Sequence, residues 1–363
     1  MSADAEMTET FACFGSTCSA LVTGSRRDGS AGEAAAMVKQ TLLAWHARFS
    51  RFLPDSELSR LNGDPRRVVP VSALMARLAQ AIVTAGSLTG GLVDGTLVEK
   101  IEGAGYVRHL REPLALADAL ALAPSRKPAA CAASPGWRQV EVDLARHTIR
   151  RSPAVKLDSG GLAKGLFADT LAGKLADHGS FAVNCAGDVA LGGTASTKRP
   201  VHVESPFDGR ILHTFELAHG GVATSGIGRR SWLGASGAPA HHLLDPSTGE
   251  PAYTGIVQVT ALARTALLAE IRAKAAILSG PRRAASWLPD GGLVVFDDGS
   301  HTVIARPPVL TLSQLSAYGP RSRTPSTPTE RVLIAAASRR EAASGPDQAS
   351  GAPAVRGAGA APR

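Results

Sequence analysis

The feature that most constrains this chain is a set of short apolar runs broken by tight, glycine-containing turns. "FAVNCAGDVALGG" (181–193) and "GLVVFDDGSHTVIAR" (292–306) each hold two such runs. Strands joined by so few residues pair antiparallel, because a parallel return needs a dozen or more residues. The first spacing predicts a buried hairpin, and the second a pair that closes a sheet. "TFACFGSTCSALVTG" (10–24) alternates like a strand, with a turn at Gly15. "VEVD", "HTIRR" and "AVKLD" read as short strands, and more strands are expected near 201–217 and 256–262.

Amphipathic helices interrupt these strands. Ser30 and Glu33 have capping-box spacing, and Val38, Leu42, Trp45 and Phe49 follow at helical intervals. Ser72 is placed to cap a helix over 72–85, with Leu74, Leu78 and Ile82 on one face. Leu162, Leu166, Leu171 and Leu175 predict a helix over 162–178, with Gly179 just past its end, and a further helix is expected over 264–279. Helices and strands alternate without a strict βαβ rhythm. The expected class is therefore α+β, with mixed or antiparallel sheets packed against helices.

The chain has 363 residues and is 44% apolar, enough for a sizeable core. No apolar run approaches the ~18 residues that span a bilayer, and "MSADAEMTETFACFG" has neither a basic region nor an apolar signal core. The expectation is a cytoplasmic protein without membrane insertion. The net charge is +8, but half of it falls in residues 319–363, where seven arginines face three acidic residues. With 4% aromatics and no basic stripe, a nucleic-acid partner is not expected. The four cysteines form no CxxC pair and read as small buried hydrophobes. Residues 115–135 read as an Ala- and Pro-rich connection. The tail over 319–363, rich in Pro, Ser, Ala, Gly and Arg, is expected to be disordered.

Several stretches carry polar chemistry. In "LDSGGLAKG" two glycines precede a helix, and backbone N–H groups there can approach an anion with Lys164 beside them. Read alone, it is equally a helix start with a solvated lysine. Asp188 in "VNCAGD" reads as a turn aspartate. "GVATSGIGRR" offers the Thr224 and Ser225 hydroxyls with Arg229 and Arg230, and "HHLLDPSTGEP" offers His241 and His242. A histidine there is either a general base or a loop residue bonded to backbone. In "LLAEIRAKAAIL" Lys274 falls on the apolar stripe of Leu267, Ile271 and Leu278, four residues after Glu270. The two form either an ordinary intrahelical pair or a charged pair turned into a polar site.

Taken together and in order, "FGST", "FLPDSELSRLN", "GGLVDGT", "DSGGLAKGLFAD", "VNCAGD", "VATSG", "HHLLDPSTGEP" and "AEIRAK" resemble the ApbE family of FAD:protein FMN transferases. The resemblance covers roughly residues 10–305, which implies one ApbE-like, T-fold-related domain over 8–306. It implies a reaction in which FMN passes from FAD to a threonine or serine hydroxyl of a partner flavoprotein, one carrying an FMN-binding domain, and AMP leaves. By matched position it implies flavin dinucleotide contacts from Phe14, Phe52, Val93, Asp94, Asp158, Lys164, His242 and Leu243. His242 is the candidate for activating the incoming hydroxyl, and Lys164, Glu270 and Lys274 complete the expected catalytic set. An FAD-binding carrier and an FAD pyrophosphatase remain alternatives.

The resemblance also implies Mg²⁺, with Gly161, Glu270 and Ala273 as candidate ligands. There the chain departs from the family pattern, which has Asp and Thr on the late helix where this sequence has Glu270 and Lys274. Mg²⁺ takes oxygen ligands at about 2.0–2.1 Å, and an ammonium supplies none. The expectation is that the Lys274 ammonium stands in the metal's place, paired with Glu270 and facing the FAD pyrophosphate.

Overall fold

The protein is described by a computed structural model over residues 5–24, 29–110, 112–234 and 236–306. The tail expected to be disordered, 319–363, lies outside the described residues. A central sheet contains eight strands: β1 (Met7–Cys13), β2 (Ser16–Thr23), β3 (Ser180–Cys185), β4 (Asp188–Gly192), β5 (Gly220–Gly226), β6 (Ile256–Ala263), β7 (Gly292–Phe296) and β8 (His301–Ile304). They lie side by side in chain order, and every neighbouring pair is antiparallel. The sheet is thus a meander interrupted by insertions, the longest filling residues 24–179 between β2 and β3.

The four longest helices among the described residues are α1 (Ala31–Phe49), α2 (Ala73–Leu88), α3 (Ala163–Leu175) and α4 (Ala266–Ser279). Helix α1 lies against β1 and β2, α3 against β3 and β4, and α4 against β5 and β6. The capping box of α1 forms: the Glu33 amide donates to Ser30 Oγ at 3.2 Å, and the Ser30 amide donates to Glu33 Oε2 at 2.8 Å. Ser72 caps α2 as expected, its Oγ accepting the Met75 amide at 3.2 Å. Val38, Leu42, Leu78, Ile82, Leu166 and Leu171 face one continuous core with Phe181, Val183 and Cys185 of β3. A two-stranded ribbon, Arg199–Glu204 with Ile211–Leu217, supplies Val201, Phe215 and Leu217 to a second cluster with Ala182, Leu191, Val222 and Leu262. Strand β3 is therefore apolar on both sides, which is why its sequence runs without polar alternation.

Three local expectations need correction. "AVKLD" forms no strand. The side-chain amide of Asn62 takes the place of a strand partner, accepting the Leu157 N–H and donating to the Leu157 carbonyl, both at 2.8 Å. Helix α3 stops at Leu175, three residues short of the expected end. Cys131 is exposed while Cys13, Cys18 and Cys185 are buried, because Cys131 sits on the surface connection that also carries the short helix Leu116–Ala121. Among the described residues no helix is long and apolar enough to cross a membrane.

Candidate active site

The two-residue turn between β1 and β2 delivers Phe14 to a cleft of about 1220 Å3, measured out to its open mouth. Both turn residues have positive φ, Phe14 at 55° and Gly15 at 69°, the form that matches the twist of a hairpin. A phenylalanine is uncommon there, since its Cβ crowds the backbone. The ring is held by His46, edge-on at 5.1 Å, and by Phe167 at 5.9 Å.

Phe52 lines the same cleft from the segment that follows α1. The guanidinium of Arg51 lies 4.4 Å from the Phe52 ring centre and 4.8 Å from that of Tyr106, and it donates to the Tyr106 carbonyl at 2.7 Å. Tyr106 in turn stacks on Trp232 at 5.2 Å. Val93 and Asp94 come from the loop after α2, where Thr89 Oγ1 accepts the Val93 amide at 2.9 Å. Asp94 Oδ1 accepts the Thr96 amide and hydroxyl, while its Oδ2 is buried without a partner. Burial pushes the Asp94 carboxyl up from its ordinary range.

Asp158, Gly161 and Lys164 form the next wall, at the start of α3. Asn62 fixes the chain just before Asp158, and Asp158 Oδ1 accepts the Gly160 amide at 3.1 Å and lies 3.7 Å from Arg51 Nε. Arg51 and Asn62 carry no distinctive sequence signal of their own. Both sit inside the "FSRFLPDSELSRLN" stretch, and only the fold shows what they hold.

Behind this wall lies a buried cluster of four charges. Lys164 Nζ bonds Asp188 Oδ2 and lies 3.3 Å from Glu270 Oε1. Lys274 Nζ donates to the same Glu270 oxygen at 2.9 Å, and Glu270 Oε2 accepts the Gly165 amide at 3.0 Å. Glu270 is fully buried, and the Lys274 side chain is 9% exposed. Glu270 and Lys274 do form an intrahelical pair, but a buried one turned into a polar cluster. Burial opposes the charge on Glu270, but the two ammoniums outweigh it and hold the carboxyl at about 2. Burial also pulls Lys164 down, yet Asp188 and Glu270 carry it above the ordinary lysine range. For Lys274 burial wins in part, and its ammonium titrates below the ordinary value. Asp188 is pushed up to about 7 by burial and then by Glu270, against the pull of Lys164.

Asp188 does not shape its turn. Ala186 and Gly187 make that turn with positive φ, and Asn184 Oδ1 accepts the Gly187 amide at 2.8 Å. Asp188 instead opens β4, with its side chain inside the protein. The other hydroxyls and cations separate likewise. Thr224 bonds Thr260 across the sheet at 2.8 Å, and neither Thr224 nor Ser225 lines the cleft. Arg230 lines it and donates to the Phe14 carbonyl at 3.3 Å, whereas Arg229 turns to Ser16.

His242, Leu243 and Lys274 complete the cleft. His242 Nδ1 is buried without a partner. Burial, and then the Arg230 cation, pull its imidazole well below the ordinary range and favour the neutral ring. His241 points away from the cleft, against Tyr253 at 4.6 Å.

Ten of the expected positions thus share one cleft, Glu270 stands behind it, and Ala273 is buried in the apolar core. The residues do not fit a divalent metal. One oxygen of Glu270 receives two ammoniums and the other a backbone amide, and Lys274 brings an ammonium with no oxygen to offer. Among the described residues no group of three His, Cys, Asp or Glu side chains is placed to hold a metal.

The chain is similar to proteins of one known family. The ApbE family model matches residues 14–295. The chain is 26% identical over 271 residues to an FAD:protein FMN transferase of Klebsiella pneumoniae (strain 342), covering 72% of this chain and 75% of that one. It is 27% identical over 257 residues to the Salmonella typhimurium protein of the same name, covering 68% and 71%. Among solved structures, the ApbE protein of Thermotoga maritima superposes with a TM-score of 0.68 at 24% identity, over 83% of this chain and 97% of that one. The Pseudomonas stutzeri flavinyl transferase ApbE, in its apo form, gives 0.64 at 21%, over 83% and 95%. With the family model spanning most of the sequence, this chain belongs to the ApbE family.

Proposed function

We propose that the protein is an FAD:protein FMN transferase. The observation that carries this reading is that segments far apart in the chain line one cleft and bring aromatic rings and cations to it together. Phe14 and Phe52 offer apolar ring surface for an isoalloxazine. Lys274, Arg230 and the start of α3 offer positive charge to a pyrophosphate.

In the transfer, a threonine or serine oxygen of the acceptor forms a bond to the FMN phosphorus. The bond from that phosphorus to the bridging oxygen breaks, and AMP leaves with the bridging oxygen. The hydroxyl proton passes to His242. Negative charge builds on the bridging oxygen as it leaves, and the cleft's fixed cations oppose that charge without having to reorganise. The acceptor is a flavoprotein with an FMN-binding domain. Incubation with FAD and such an acceptor, followed by mass spectrometry, tests the reading. Covalent FMN on the acceptor with stoichiometric AMP is the expected result. Free FMN with AMP would make the protein a pyrophosphatase, and FAD left intact a carrier.

A further inference from the structure

We propose that Lys274 permanently occupies, as a fixed ammonium, the position a divalent cation would take, so that this protein holds the FAD pyrophosphate without a metal. The inference rests on the transferase reading for the identity of the ligand.

Four observations carry it. First, Glu270 has no free oxygen. Oε1 receives Lys274 at 2.9 Å and Lys164 at 3.3 Å, and Oε2 receives the Gly165 amide at 3.0 Å. Second, the other carboxylate in the cluster, Asp188, gives Oδ2 to Lys164, and its buried Oδ1, without a partner, is a single oxygen where a dication needs several. A dication taking these oxygens would leave two buried ammoniums unpaired, which is strongly unfavourable. Third, Lys274 and Glu270 are four residues apart on α4, so the helix puts both on one face and the Glu270 carboxylate holds the ammonium at 2.9 Å. Fourth, Lys274 is buried yet lines the cleft together with Lys164 and Arg230. A ligand phosphate entering there meets its charge directly. An ammonium offers three donors and one charge, so it attracts phosphate as a point charge without the octahedral template of a bound dication.

FAD binding by calorimetry, in EDTA and then in excess Mg²⁺, tests the proposal on the full-length protein. The wild type should bind FAD with the same affinity, within about twofold, in both conditions. Mn²⁺ added to the FAD-free wild type should keep the paramagnetic resonance spectrum of the free ion. Lys274→Thr should weaken FAD binding in EDTA by about tenfold or more, the loss expected for one charge-assisted contact, and Mg²⁺ should recover part of it. Lys274→Arg, which keeps the charge, should stay insensitive to chelation, and its urea midpoint serves as the folding control for the site. Loss of wild-type FAD binding in EDTA overturns this inference alone. So does wild-type affinity for FAD retained by Lys274→Thr in EDTA. A wild type that ignores FAD in both conditions overturns the transferase reading, and this inference with it.

Discussion

His241 and His242 are neighbours in sequence with opposite surroundings, and both can be probed singly. His242 borders the cleft with an unpartnered nitrogen. His242→Asn should lower the transfer rate by about 10²–10⁴-fold, the usual range for a lost general base, while calorimetry finds FAD affinity changed only a few-fold. Equal losses in rate and in affinity would point to a binding role instead. His241 is fully buried, and burial pushes its imidazole down to about 3. The unfolded chain takes up that proton near pH ~6.5, and the folded chain does not. Its contribution to stability is therefore complete above about pH 6.5 and lost progressively as pH falls towards 3, by up to ~1.4 kcal/mol per unit. Urea unfolding of wild type and His241→Gln across this range measures the difference, and parallel slopes for the two would contradict the assignment. At this scale the sequence pattern located Phe14, Asp94, Lys164 and His242 because each stands in a motif. It left Asp188 as a turn residue, since Ala-Gly-Asp between two strands looks the same whether the carboxylate faces water or a lysine.

Helices α3 and α4 cap each other. Asp169 of α3 accepts the Ala266 and Leu267 amides at the start of α4, at 2.8 and 2.9 Å, and Glu270 of α4 accepts the Gly165 amide in the first turn of α3. These bonds satisfy N–H groups that a helix start otherwise leaves open. They also fix the distance from Lys164 to Glu270. The helices approach so closely at Gly165 that a Cβ there would stand 2.7 Å from Leu267 Cα and 2.8 Å from the Ala266 carbonyl oxygen. Both are backbone atoms and cannot rotate away. Gly165→Ala should cost about 1–3 kcal/mol as an overpacking change and weaken FAD binding with it. Asp169→Ala should cost about 0.5–2 kcal/mol as a lost cap. Chemical denaturation checks both, and a Gly165→Ala protein as stable as wild type would mean that the helices part without penalty. The helices were legible from apolar spacing and from Ser30 and Ser72, because those caps act within four residues. The cap from Asp169 was not, because its partners lie 97 and 98 positions away.

Across the whole molecule the site joins the two sides of the long insertion. Phe14 comes from the sheet before residue 24, Phe52, Asp94 and Lys164 from the insertion, and His242 and Lys274 from segments after it. The order of the motifs along the chain was readable in the sequence. The strand order was not, because turn lengths specify hairpins but not which strand receives the chain after an insertion of more than a hundred residues. A ligand that touches both sides stabilises the docked arrangement by mass action. At a hundredfold excess over Kd, FAD should add about 2.7 kcal/mol, which for a domain of this size raises the unfolding temperature by roughly 5 °C. Because the core runs without a break from β3 through α1, α2 and α3, sheet and insertion should melt in one calorimetric transition that FAD moves as a whole. Two transitions with only one shifted by FAD would show that the insertion unfolds separately from the sheet, and that the cleft's walls are assembled by the ligand instead of by the core beneath them.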